Sequence, residues 1–329
     1  EAPAYKEEVV RASKNIRALS GVYAEFLDLP LLAGEEIPHA PYVAVCRYPW
    51  AGSVAVFAAG DDYGYTLNRT VSRPAIVGET LDGLASGVPG RWMRASVRVR
   101  IRYGALESRS ATSVLNGANV AALRHGSSGD WELFQFERAE LVAPQVYRLS
   151  GLLRGQGGTD GQIPSRWPIG TDFVLVDSAL SQIDLPASAR GIERHYRIGP
   201  APKSYDDASF VHRILAFDGV GLRPYRPAHL RAARSLSGNI TVGWTRRTRM
   251  DGDSWQGVDV PLGEESEKYH VRIVSGGRVC REYTVGASSF TYSKADQDVD
   301  DLQAVLTFEV AQVSDRFGPG GYERIEFNG

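Results

Sequence analysis

The chain has 329 residues, 43% of them hydrophobic and 23% charged, and a formal net charge of −2. This is the composition of a soluble globular protein. It is too long for one ordinary domain and has no global charge to draw it onto nucleic acid or an anionic membrane. Its two cysteines, Cys46 and Cys280, exclude a disulfide framework and leave either buried thiols or one long-range bridge.

The sequence starts at Glu1, with no basic-then-apolar leader after it, and so reads as a piece of a longer protein. Val9, Val10, Ile16 and Leu19 predict a helix over 6–19, inside a connecting segment 1–35. Beyond it, 35 glycines and 17 prolines cut the chain into short runs, which predicts a mainly β architecture. Strands are expected at 43–48, 54–58 and 63–68. The weakly charged run 42–60 contains Arg47, Pro49 and Gly52, so it suits two strands and a turn rather than a membrane helix. The strictest alternation is at 95–103, with Val97, Val99, Ile101 and Tyr103 on one face and Ser96, Arg98, Arg100 and Arg102 on the other. A short helix is expected over 113–123, weakened by Asn116, Gly117 and Asn119.

A hairpin follows, with strands 132–139 and 146–153 turning at Ala143-Pro144. Leu133, Phe134 and Phe136 are expected in one core, with Tyr147, Leu149, Leu152 and Leu153 on the partner strand. The glycine-rich corner Gly155-Gln-Gly-Gly-Thr159 comes next, then strands at 173–177 and 193–198. Leu222-Arg-Pro-Tyr-Arg-Pro227 is stiff and extended, because each proline pushes its predecessor out of helical space. After it, seven strands are expected, around Leu230, Ile240–Trp244, Tyr269–Ile273, 279–285, Phe290–Tyr292, 305–313 and 322–327. A tryptophan in the second and Tyr-x-Val in the third make this unit look like a fibronectin type III module. The polar excursion 246–268 should be a surface loop. The expected fold is therefore mainly β, with barrel- or sandwich-like domains over 36–222, one or two of them divided near 130–140. A fibronectin type III-like sandwich follows over 223–329.

Phrases such as Phe26-Leu-Asp-Leu-Pro-Leu31, Phe134-Gln-Phe136, Leu152-Leu-Arg-Gly155, Arg197-Ile-Gly-Pro200 and Gly221-Leu-Arg-Pro-Tyr225 occur in one order over about 200 residues. In that order they resemble the large baseplate hub protein of gene transfer agents, phage-like particles of alphaproteobacteria. The resemblance implies a homotrimeric structural component of a tail tip or baseplate. It would be assembled in the bacterial cytoplasm and released within the particle. Its partners would be copies of itself and other tail and baseplate proteins. It would close the tail channel and contact the host envelope during DNA delivery, letting DNA pass without binding it stably. The TIM barrel common in such proteins has no counterpart here, because strand and helix do not alternate eight times. No catalytic residue, metal or cofactor carries over, so the chain is expected not to be an enzyme.

Candidate interaction residues are Arg94, Arg98, Arg100, Arg102, Arg154 and Trp255. The arginine face has three readings: a solvated strand face, a pairing surface between subunits, or a contact with polyanions such as DNA or lipopolysaccharide. Arg154 should pair with a carboxylate, of its own chain or of another. Trp255, in the long polar loop, supports an alternative function as a carbohydrate- or receptor-binding module reading host glycan. The glycine-rich corner lacks the Lys-Ser/Thr of a phosphate loop, and Asp160 stands where a G-x-G-x-x-G pattern needs glycine, so it reads as a turn network. Asp296, Asp298, Asp300 and Asp301 imitate a calcium loop without its central glycine or distal glutamate. His39, His125, His195, His212, His229 and His270 are dispersed, and none has zinc-motif spacing. A glycosidase would need two carboxylates facing a cleft, which sequence alone does not exclude.

Overall fold

The structure is a computed structural model that describes residues 20–328 apart from 51, 125, 127–129, 251–259 and 301–304. The helix expected over 6–19 and the candidate Trp255 lie outside the described residues. The chain is almost entirely β, in several small units ending in a fibronectin type III-like sandwich. No helix among the described residues is long and apolar enough to cross a membrane.

The alternating strand is Met93–Ile101, and it organises the middle of the molecule. Val97, Val99 and Ile101 are buried, while Arg98 and Arg100 are exposed. It pairs antiparallel with Val146–Gln156 on one side and Val77–Thr80 on the other. Asp172–Leu175, Val120–Arg124 and Glu132–Ala143 continue the sheet, and the last of these pairs back onto Val146–Gln156 to close a barrel. Leu123, Phe134, Phe136, Leu149, Leu152 and Phe173 fill the interior with the inward residues of Met93–Ile101. A barrel this small is packed solid by its own side chains.

The structure corrects two expectations here. The helix expected over 113–123 is only Ala111–Leu115, capped by the Ser110 hydroxyl. Gly117 (φ 90°) and Asn119 (φ 55°) take the chain through left-handed conformations that end it. Val120–Arg124 is then a barrel strand with Ala121 and Leu123 facing inward. Leu133 does not share a core with Phe134 and Phe136, since a period of two sends it to the outside of the barrel.

The barrel is inserted into a second β unit built from chain segments on both sides of it. Tyr23–Leu27, Tyr42–Cys46 and Ser181–Gln182 form one sheet. Val211–Leu215, Arg194–Pro200, Val54–Ala59 and Thr66–Val71 form the other. Phe26, Val43, Val45, Val56, Tyr196, Ile198 and Phe217 pack between them. A division near 130–140 does not fit this arrangement, because Glu132–Ala143 is paired on both edges within the barrel. The strand Tyr42–Cys46 serves two cores. Val43 and Val45 face the sandwich interior, while Ala44 and Cys46 face outward. There they meet Leu27, Leu29 and the outer barrel residues Val77, Ala122, Leu133 and Val174 in a shared apolar layer. Burial in that layer pushes the Cys46 thiol up to about 11. Both cysteines are free, so the bridge alternative falls.

In the C-terminal unit, Ala228–Arg234, Ile240–Thr245 and Ser289–Tyr292 make one sheet. Arg278–Val285, Tyr269–Ser275, Val305–Ser314 and Glu323–Asn328 pair in that order in the other. Between the sheets Trp244 packs edge-on against Tyr269 at 5.0 Å, with Val242, Val271, Ile273 and Phe308 around them. The segment before this unit is not a free linker. Val220–Leu222 forms a buried 3-10 turn, and Gly221 lies so close to Pro38 that a Cβ would meet its carbonyl oxygen at 2.5 Å.

Candidate functional site

Arg154 is wholly buried, and its carboxylate comes from its own chain. The guanidinium forks onto the equally buried Glu132, with Nη2 at 2.6 Å from Oε2 and Nε on Oε1. Nη1 donates to the Ala85 carbonyl at 2.9 Å, and the Trp167 indole N–H donates to Glu132 at 2.5 Å. Ala85 and Trp167 belong to a short paired ribbon, Leu84–Ala85 with Arg166–Trp167. The ion pair therefore fastens that ribbon to the barrel. Arg154 is an internal fastener and offers no surface to a partner.

The arginine face is exposed but laced with acids. Arg98 makes a fork with Asp82, Nη2 to Oδ1 at 2.7 Å and Nε to Oδ2 at 2.9 Å, and its backbone N–H donates to the same carboxylate. Those hydrogen bonds hold the Asp82 carboxyl below its ordinary range. Arg100 reaches Glu79 at 3.5 Å, and Arg148, directly opposite Arg98, reaches Glu140 at 3.3 Å. Arg102 lies 4.3 Å over the Tyr23 ring. Arg94 is exposed, beside the exposed Trp92. Two of the four arginines read from the sequence, Arg98 and Arg100, are thus balanced along the barrel wall by acids from a turn and a neighbouring strand. Exposed pairs of this kind add little stability each, but they leave less field for a polyanion.

The glycine-rich corner is a packing device. The Thr159 hydroxyl accepts the Leu133 N–H at 2.9 Å and donates to the Gln156 carbonyl at 2.7 Å. Gly158 (φ 75°) lets the Tyr225 ring lie where a Cβ would be, 2.3 Å from the ring's nearest carbon. Arg247 reaches back from the sandwich to Asp160 at 3.1 Å and lies over Tyr225 at 5.3 Å. The corner is where the C-terminal sandwich docks.

A cleft of about 500 Å³ opens between barrel and first sandwich, and it does gather acids. Each of the following is committed to holding elements together. Glu25 accepts from Arg124 at 2.7 Å, and Arg124 lies 4.3 Å over the Trp131 ring. Asp130 takes Arg223 and the Gln162 amide. Asp28 accepts the backbone N–H groups of Gly219 (2.9 Å) and Val220 (2.7 Å), anchoring the turn that leads to the C-terminal sandwich. Burial pushes the Asp28 carboxyl up to about 6, against the pull of those N–H groups. The native state then keeps a proton between about pH 4 and 6 that the unfolded chain has released. Stability must fall as pH rises through that window. The loss is at most roughly 3 kcal/mol, from about two pK units. Asp28→Asn keeps an acceptor for the turn and removes the titration. Urea unfolding at pH 4 to 7 should show this extra downward slope in the parent alone, whereas parallel curves would refute it.

The acidic run near the C-terminus is likewise occupied. Arg281 pairs with Asp296 at 2.9 Å and Asp300 at 2.6 Å, and Lys294 pairs with Asp298. Asp301 lies outside the described residues. Sequence spacing missed one constellation. His195 and His212, on paired strands, bring Nδ1 and Nε2 to 3.1 Å of each other beside Asp62. The signal was parity. Register places His195 opposite Ile214 and Arg197 opposite His212, so both rings leave the same face of the sheet.

No curated protein sequence matches the chain significantly. Among solved structures it is similar to domains d3–d4 of the rat CD45 extracellular region, at 12% identity and TM-score 0.25 over 47% of this chain and 72% of that one. It is also similar to a two-domain fibronectin type III segment of chicken tenascin, at 12% identity and TM-score 0.23 over 76% and 99%. The FN5 domain of Drosophila Lar gives 18% identity and TM-score 0.19 over 32% and 98%. Scores this low carry no argument, and the sandwich stands on its own strand pairing. A family model described as "Rcc01698-like, C-terminal", a family related to the Rhodobacter capsulatus gene transfer agent, matches residues 75–174.

Proposed function

We propose that the chain is a structural component of the tail tip or baseplate of a phage-like particle of the gene transfer agent kind. It acts by assembly and changes no covalent bond. The observation that carries this reading is the family match over 75–174, which spans the barrel strands from Val77–Thr80 to Asp172–Leu175 almost end to end. Two physical features support it. Barrel and first sandwich share an apolar layer, which suits a rigid body that must transmit force. The barrel wall carries ordered ion pairs whose arginine forks can exchange partners with acids of a neighbouring copy. In this reading three copies and other baseplate proteins close the channel, the C-terminal sandwich faces the envelope, and DNA passes without lasting contact.

The test is to tag this chain in a producing bacterium, purify the particles and locate the tag by immunogold electron microscopy. Gold confined to one end of the tail is the expected result. Labelling over the whole particle, or none, would overturn the proposal. Light scattering on the purified chain addresses the homotrimer separately, with a monomer at high concentration counting against it.

A further inference from the structure

We propose that His195, His212 and Asp62 form a binding site for a divalent first-row transition metal, of which Zn²⁺ is the natural probe. The three donor atoms lie within 4.8 Å of one another, and each residue offers one. The two imidazole nitrogens face each other at 3.1 Å, and His212 Nε2 is 3.8 Å from Asp62 Oδ1. Donors about 2.0–2.1 Å from a tetrahedral zinc are about 3.3 Å apart, so the His195–His212 and His212–Asp62 separations need changes of only about half an ångström, and closing the third, which is within 4.8 Å, takes at most about 1.5 Å.

The ring geometry points the same way. Ring centroids 5.2 Å apart, with planes inclined by 20° and nitrogens at 3.1 Å, set the rings nearly edge to edge. Their lone-pair directions converge on the space between them. Without metal, one proton can bridge the nitrogens. A metal replaces that proton once each ring tilts by roughly 35° toward an ion off the line, as the tetrahedral angle requires. Two imidazole donors suit zinc, nickel and copper better than magnesium or calcium.

The backbone positions the donors firmly. His195 and His212 sit on adjacent antiparallel strands, and His195 is paired to Ala59 on its other side. Asp62 is held by the Tyr65 hydroxyl at 2.5 Å and by Arg197 Nη2 at 2.9 Å. Three protein ligands leave one coordination position for water. Arg197 also works against the site, since its positive charge competes with the metal for Asp62.

That competition gives the test its second arm. Chelator-treated, tag-free protein is titrated with Zn²⁺ by calorimetry, and with Co²⁺ while its visible spectrum is recorded. One ion per chain should bind with a Kd in the micromolar range, and Co²⁺ should show the intense visible bands of four-coordination. His195→Ala and His212→Ala should each weaken binding at least thirtyfold. Arg197→Gln should tighten it about tenfold, a gain that loss of structure could not produce. Half-maximal binding only above 100 µM would overturn the proposal. So would a titration unchanged in the double histidine variant, or weaker binding in Arg197→Gln.

Discussion

Glu132→Gln will destabilise the protein by about 3–5 kcal/mol, the cost of leaving a buried charge without its counterion. The substitution keeps the side-chain shape and removes only the charge, so Arg154 is left with no anion in a fully buried site. Trp167 keeps an amide acceptor but loses a charged one. The urea midpoint should fall in proportion, and the Trp167 environment, read by fluorescence, should loosen with it. Combining Arg154→Met with Glu132→Leu takes away both charges and should recover much of the loss. A residual cost of about 1–3 kcal/mol remains for the indole N–H, which would have no acceptor. In the cycle of Glu132→Leu, Arg154→Met and the double variant, the double should cost less than the sum of the two singles by more than about 2 kcal/mol. Additive single and double effects would mean that the pair is less isolated from water than its burial indicates.

That ion pair also shows how far the sequence could be read. The alternation that sends Phe134 and Phe136 inward sends Glu132 inward too, and Leu152 shares its parity with Arg154. Glu132 was thus legible as an inward carboxylate, but Arg154 was not, because a register shift between Ser150 and Leu152 changes the parity that Tyr147 and Leu149 set. The opposing intuition, that charged residues sit outside, hid Glu132. The arginine face of Met93–Ile101 was legible as a pattern because strand alternation is local. Its charge balance was not legible, because Asp82, Glu79 and Glu140 reach it from a turn and other strands. Insertion of the barrel leaves no local mark at all. Tyr42 pairs with Gln182 across the whole barrel, and no periodicity records that meeting. The histidine pair was hidden for the same reason: only the register between two strands brings the rings together. The C-terminal sandwich was the most legible part, since its strands from Ile240 onward lie within about two positions of their expected bounds, while the first, expected around Leu230, runs on to Arg234.

The two kinds of junction should also unfold differently. Barrel and first sandwich are joined by a continuous apolar layer containing Leu27, Ala44, Ala122, Leu133 and Val174, so exposing one face exposes the other. The C-terminal sandwich is joined mainly by arginine contacts, Arg226 with Glu323 at 3.2 Å, Arg247 with Asp160, and Arg190 with the Arg316 carbonyl and the Phe317 ring. Such partly exposed polar contacts couple weakly. Phe134→Ala, which empties a site against Phe136 and Phe173, should cost about 3–5 kcal/mol. Phe308→Ala, which empties one against Tyr292 and Phe327, should cost about the same. Hydrogen exchange followed by mass spectrometry separates the two. Phe134→Ala should speed exchange throughout 20–222 and leave the sandwich strands protected. Phe308→Ala should speed exchange only beyond 227. If either variant deprotected the whole chain equally, the arginine junction would have to couple the units as tightly as the apolar layer does. A sandwich that unfolds by itself can be deformed without loosening the barrel, which fits the tail-tip role proposed above.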